Sequence, residues 1–501
     1  MIRPRRENLP GTSVLDMQQR ARVARLTRWE RRGGGRAPHA AVCLGAALTG
    51  LAGCNLGPYY HRPDIPPPAT WVTASDPSAP AWPAGDWWRG FASADLDALI
   101  AQAQHANDDL RAAIARVHQA DAQRRIAGAP LLPAANLAAT ATRARSPVPG
   151  SAQFMTGNDF NPLLSASYEL DFWGKNRAAL AAATASARAS RYDRTTVELG
   201  VMAAVAGTYF QALELRDRLG VAQANLDNAQ KILHGLQLEQ SAGIATALDV
   251  AQQETVVATV NASIPPLQQQ LRQSIDALAI LVGSTPEGLE VTHGSLDDLG
   301  EPPVRPGLPS ELLTRRPDVA AAEAQLIAAN ANIAAARAAF FPTISLTADG
   351  GYESAALANL LTPANRVWSL TAGATQPLFQ GGALVGQYQL AKGRYQELLA
   401  DYHKAVISAL ANVEDALIAV QQTTAQVERQ QQAASTAQRA YAFAQKQMRA
   451  GTINVLTLLN TEIALFSARD ALAQAKYARL QALVSLYQAL GGGWQQQEKQ
   501  P

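Results

Sequence analysis

The sequence predicts an α+β membrane protein made of an internally duplicated unit, with very long helices and four β-strands per chain that must be pooled with other copies into a shared transmembrane barrel. Three observations lead there. From Leu384 to Met448 there is no proline, and apolar residues recur at spacings of three and four through Leu384, Tyr388, Ala391, Tyr395, Leu398 and on to Val427, with one stutter between Tyr402 and Val406. Residues Ser241 to Leu248 reappear as Arg449 to Leu456, about 208 positions later, with Gly243 falling on Gly451 and Leu248 on Leu456. Four segments alternate apolar and polar residues, the best being Ser165 to Phe172, where Ala166, Tyr168, Leu170 and Phe172 share one face.

The long run from Gly381 to Met448 gives a helix of about 100 Å at 1.5 Å per residue, and such a rod needs neighbours along its side. Gly451 then sits where a helix end requires a left-handed residue, and a second run returns from Asn454 to about Leu490. Further landmarks keep the same offset: Pro133 with Pro342, Phe172 and Gly174 with Phe379 and Gly381, Gly283 with Gly491, and Glu254 with Glu462. The mature chain therefore reads as a tandem duplication, each copy running helix, strand, strand, long helix, tip and returning helix.

Composition narrows the function. The formal charge is +2, but ten arginines and only three acidic groups lie before Cys54, leaving 33 basic against 38 acidic groups in the rest. A nucleic-acid partner has no electrostatic support. The two cysteines, Cys43 and Cys54, both lie near the N-terminus, so neither a disulfide framework nor a cysteine metal site is expected. His105, His118, His234, His293 and His403 lack metal-ligand spacing, and neither a phosphate-binding loop nor a nucleophile elbow occurs, so the chain is not expected to be an enzyme. No cofactor is expected beyond a covalent lipid.

In chain order, residues 1–53 read as a lipoprotein-type signal segment: Arg31, Arg32 and Arg36 precede an apolar run from Ala40 to Leu51, and Leu51-Ala-Gly-Cys54 is a lipobox-like end at which Cys54 is the lipidation residue. The competing reading is an uncleaved anchor, for which the apolar run is short. The long stretch before Arg31 points to a start set too early. Residues 54–92 form an anchored, proline-rich extended lead, in which Trp87, Trp88 and Phe91 are a packing cluster. The first repeat spans 93–290, with a helix from Ser93 to about Ala127, strands near 137–145 and 165–172 separated by a loop at about 146–162, and a long helix from Gly174 to Gln240. Its returning helix, Leu248 to Leu281, carries Pro265-Pro266, where a kink or break is expected. Residues 291–314 are a proline-rich linker. The second repeat, 315–494, begins at Arg315-Arg316-Pro317-Asp318, with Pro317 in a first helical turn, and contains strands at Thr343 to Asp349 and Trp368 to Thr375. Residues 495–501 are a tail. Four strands of about ten residues cannot close a barrel, since their edges would be unsatisfied in lipid, so the chain must assemble; the alternative is a soluble sheet on a helical bundle.

Together, Leu51-Ala-Gly-Cys54, Gly57 to Pro63, Trp87 to Phe91, Glu169-Leu-Asp-Phe-Trp-Gly174, Arg315 to Asp318, Ala335 to Pro342 and Ala489 to Trp494 resemble the outer membrane efflux lipoproteins, TolC-like ducts of the NodT and OprM type. The resemblance covers nearly all of the mature chain. It implies a homotrimer with one twelve-stranded barrel in outer membrane lipid and a hollow helical cylinder crossing the periplasm. It also implies a periplasmic adaptor and a proton-driven inner-membrane pump as partners, with small drugs or toxic compounds as cargo. By position it makes the hairpin tips the closed end. Leu456 matches the constriction leucine, Leu248 is its counterpart in the first copy, and Asn460 stands where close relatives carry an aspartate. Ile463 replaces an expected arginine. Ala242-Gly243 and Ala450-Gly451 match adaptor-docking grooves. Two other functions fit the same features, a protein-secretion duct and a non-conducting, lipid-anchored envelope coiled coil.

Overall fold

Each boundary of the first pair of long helices recurs 208 residues later in the second pair. In the computed structural model α3 is Lys175–Ser241 and α6 is Ala383–Arg449, 67 residues each; α4 is Ala247–Leu281 and α7 is Val455–Ala489, 35 residues each. The structure describes residues 57–73, 82–147, 149–150, 152–291, 293–303 and 309–495. Cys54 and the signal segment lie outside the described residues.

The other main elements are α1 (Ala94–Ala106), α2 (Asp108–Gly128), β1 (Ala134–Pro147), β2 (Phe154–Leu170), α5 (Pro317–Ala338), β3 (Thr343–Tyr352) and β4 (Arg366–Thr375). The strands make one antiparallel sheet in the order β1-β2-β3-β4, so β2–β3 pairing joins the two copies and leaves β1 and β4 as open edges. Register places Ala166, Tyr168 and Leu170 opposite Ala348, Leu346 and Ile344, all on one apolar face. The other face is polar, and the Asp349 carboxylate accepts from Ser165 Oγ at 2.6 Å and Ser369 Oγ at 2.9 Å.

Three expectations are corrected. The helix from Ser93 breaks at Asn107, whose ψ of 128° is extended; its Oδ1 caps Leu110 N at 2.9 Å while its Nδ2 donates to Leu281 O at 2.8 Å. The helix carrying Pro265-Pro266 does not break, because Ile264 and Leu267 pack with Leu215 and Ala222 of α3 on either side of the missing donors. The first hairpin loop is far shorter than 146–162: pairing of Thr142 through Pro147 with Phe154 through Asp159 extends β1 and β2 to 14 and 17 residues.

The two copies meet in a common core. Trp87 stacks on Tyr487 at 5.0 Å and Phe91 meets Phe210 edge-on at 4.9 Å, which makes the aromatic cluster a packing element. Pro317 takes the first turn of α5 after Arg316, whose guanidinium grips Asp318 and donates to Ala489 O at 3.0 Å, a cation on the last turn of α7. Asn107 and Arg316 thus perform one task in the two copies. The extended lead is fixed to the helices: Asn330 Nδ2 donates to Pro58 O, Arg62 pairs with Glu323, and Trp71 is buried beside Tyr402. Among the described residues α3 alone is long and apolar enough to cross a membrane, and 56% of that apolar window is buried inside the protein.

Candidate functional site: the hairpin tips

Both long helices end in the same hydrogen-bonded turn. Gly243 N donates to Gln240 O and Ile244 N to Glu239 O; in the second copy Gly451 N donates to Met448 O and Thr452 N to Gln447 O. This is the paired bonding that ends a helix on a left-handed residue. Gly243 and Gly451 have φ of +77° and +71°, and a Cβ at either would meet nothing within 4 Å, so the turns are open outward. Ala242 and Ala450 beside them are exposed.

The returning helices start differently. Thr246 caps α4 in a reciprocal box with Asp249, whose carboxyl the Thr246 hydrogen bonds hold below its ordinary range. Asn454 caps α7 through Thr457 N at 3.0 Å without a reciprocal partner. The tips pack on one another through Leu236 and Val250 of the first hairpin against Val455 and Leu459 of the second.

Inside this joint lies a polar cluster drawn from four helices. Glu462 on α7 is 1% exposed and accepts from Asn228 Nδ2 on α3 at 2.7 Å; Asn228 also bonds Tyr441 on α6, and Gln445 donates to that phenol at 2.7 Å. Gln253 on α4 reaches the same carboxyl and donates to Ala229 O at 2.9 Å. Glu462 Oε2 and Gln253 Oε1 are both buried without a hydrogen-bond partner. Burial pushes the Glu462 carboxyl above its ordinary range, only partly offset by the bonds from Asn228 and Gln253. Burial likewise raises the Tyr441 phenol. More than two turns farther along, Arg218 of α3 bridges Asp470 of α7 at 2.6 Å and Glu214 at 3.2 Å.

The opposite side of α7 is exposed. Leu456, Asn460 and Ile463 follow one another at spacings of four and three, and Leu456 and Ile463 are about half exposed. Leu248, the second residue of α4 as Leu456 is of α7, is also exposed. Glu462 therefore adds no charge beside Asn460, because it points away from this stripe. Its sequence counterpart Glu254 is exposed, and the buried polar residue of α4 near the tip is its neighbour Gln253. The buried cluster was not foreseen from the sequence. Its signal was a polar residue inside an apolar stripe: Gln253 among Val250, Val260 and Ile264, and Glu462 between Leu458 and Leu465.

A sheet with two open edges and one apolar face, joined to helices of about 100 Å whose exposed tips are hinged on glycine, describes a channel wall rather than a catalytic pocket. Residues 99–284 and 308–492 each match the outer membrane efflux protein family, one match per copy. The chain belongs to that family. It is 40% identical over 461 residues to the pyoverdine export outer membrane protein OpmQ of Pseudomonas putida, covering 91% of this chain and 97% of the relative. It is 32% identical over 460 residues to the cation efflux system protein CusC of Escherichia coli, covering 91% and 98%. The solved outer-membrane channel OprN superposes with a TM-score of 0.83 at 29% identity, covering 88% of this chain and 100% of OprN. This efflux protein is a channel of the cell outer membrane and not an enzyme, and its fold contributes four strands to a barrel shared between copies.

Proposed function

We propose that the chain is the passive exit duct of a tripartite efflux system, a homotrimer that takes small molecules from an inner-membrane proton-driven pump through a periplasmic adaptor. The observation that carries this reading is the open-edged sheet, whose unpaired β1 and β4 edges need strands from neighbouring copies, set on helices about 100 Å long. The exposed stripe Leu456, Asn460 and Ile463, with Leu248, is the constriction, and the turns Ala242-Gly243 and Ala450-Gly451 are the docking grooves. Docking separates the tips and solute passes through water. With Asn460 in place of an aspartate, no carboxylate ring attracts cations there. The cargoes for which relatives are named, pyoverdine and cations, support small solutes over proteins.

Lipid on Cys54 anchors the extended lead. Cys54→Ser should leave a folded, poorly sorted protein; normal fractionation together with retained palmitate labelling would refute it. The duct itself is tested by conductance of the purified trimer in a planar bilayer. A deletion strain assayed for drug sensitivity and for secreted proteins reads the cargo. A trimer that passes no current ends the channel reading, and normal drug resistance with lost protein export replaces small solutes by proteins.

A further inference from the structure

The strands segregate charge by face and by end. In the β1–β2 register, Ala135, Leu137, Ala139, Ala141, Arg143 and Arg145 lie opposite Ala166, Leu164, Pro162, Phe160, Asn158 and Thr156. In the β3–β4 register, Arg366, Trp368 and Leu370 lie opposite Tyr352, Gly350 and Ala348. All these residues share the apolar face, so Arg143, Arg145 and Arg366, the only arginines in the strands, are on the side that meets lipid. The strand carboxylates Asp159, Glu169 and Asp349 all fall on the polar face.

Position along the strands is equally ordered. The apolar face of β2 runs from Leu170 to Phe160, ten residue steps, or about 33 Å along a strand and about 25 Å along a barrel axis at the usual tilt, which is the height of an outer membrane's apolar band. Phe160 pairs with Ala141, so Arg143 stands one pair beyond that band and Arg145 two pairs, at the end where the strands turn rather than where they meet the helices. Arg366 opens β4 at the same end, next to Trp368 and Tyr352, aromatic residues of the kind that mark the interface. The two ends are treated differently. At the helical end Lys175 pairs with Glu169 at 2.6 Å and Arg177 with Asp171 at 3.1 Å. At the loop end Arg145 lies over the Phe154 ring at 5.0 Å, and among the described residues none of the three exposed arginines has a carboxylate partner. Since β1 and β4 are the open edges, closing the barrel brings Arg366 of one copy toward Arg143 and Arg145 of the next.

We infer that Arg143, Arg145 and Arg366 form a docking rim for the headgroup phosphates of the anionic glycolipid of the outer leaflet, one rim at each junction between copies. Guanidinium groups bind phosphate bidentately, and a rim contiguous with the lipid-facing band meets acyl chains and phosphates of one molecule together. The inference rests on the barrel assembling in the outer membrane, which the trimer mass reports separately. The test is native mass spectrometry of the detergent-purified full-length protein titrated with bisphosphorylated lipid A and with its dephosphorylated counterpart. Wild type should prefer the phosphorylated lipid by about tenfold or more, the worth of one charge-assisted hydrogen bond. Arg143→Gln/Arg145→Gln/Arg366→Gln should lose that preference while keeping the trimer mass, and Arg124→Gln on the exposed face of α2 should keep it. Equal binding of the two lipids by wild type, or an undiminished preference in the triple variant, overturns the inference; the wild-type comparison decides even where the variant does not assemble.

Discussion

The two hairpin tips have one backbone and two chemistries. Their long helices match in length to the residue, and both turns use the same bonds around a left-handed glycine. Their returning helices diverge: α4 has a reciprocal cap and an exposed Glu254, while α7 has a single-sided cap and a Glu462 buried against Asn228. Duplication kept the positions that set where the chain turns, because a misplaced turn would misalign two rods over their whole length. It released the positions that set how tightly each tip is closed.

Five measurements would break or sharpen that comparison. The largest effect is expected at the buried carboxyl. Glu462→Ala strips Asn228 of one of its two acceptors and should lower the stability of the tip by about 1–3 kcal/mol, whereas Glu254→Ala should change it by no more than about 0.5 kcal/mol; thermal unfolding of the purified trimer reads both, and equal losses would erase the distinction. The same site carries a pH signature. Because the folded tip raises the Glu462 carboxyl, it holds the proton more tightly than the unfolded chain does, so this contribution is full at acid pH and is lost as pH rises through the raised value. Glu462→Gln should flatten that dependence, as followed by protease nicking of the tips across pH.

Next come the turns. Gly451→Val and Gly243→Val each force a branched residue into a left-handed conformation at a cost of about 1–2 kcal/mol. The two losses should match, since the turns do. Drug-efflux assays of the Gly451 variant, with trimer content checked on seminative gels, test docking; full resistance would contradict it. Removing the caps should cost about 1 kcal/mol each. Thr246→Ala should open its first turn more than Asn454→Ala opens the other, since only the former breaks a reciprocal pair, and hydrogen exchange at residues 247–250 and 455–458 distinguishes them. The smallest structural change is Asn460→Asp, on the exposed stripe. It adds up to three carboxylates per trimer, and reversal potentials under a salt gradient should move toward cation preference; unchanged potentials would place residue 460 away from the lumen.

Much of this was legible beforehand because the strongest signals are periodic or steric. The proline-free heptad run and the repeated glycine turn, carried across the 208-residue offset, located α3, α6, α7 and the ends of α4 to within a few residues. Short-range signals misled where a distant contact outweighed them. Asn107 looks like a helix interior residue until Leu281 supplies the carbonyl that makes it a cap, and Pro265-Pro266 looks like a break until Leu215 and Ala222 hold both flanks. The first hairpin loop was overestimated because residues 154–162 do not alternate cleanly, although pairing with β1 places Asp159 and Asn161 within β2 opposite Thr142 and Thr140.

Sequence alone determined that one unit occurs twice, that its rods need neighbours and that its strands are too few to seal themselves, since period, chain reversal and backbone hydrogen-bond demand are properties of local residues and their number. Only tertiary structure decided that Glu462 is hidden while Asn460 is exposed, that Asn107 and Arg316 serve matching helix ends, and that the strand arginines gather at one rim. Those facts depend on which helix or strand lies alongside, and a side chain's charge and accessibility are fixed by neighbours hundreds of residues away along the chain.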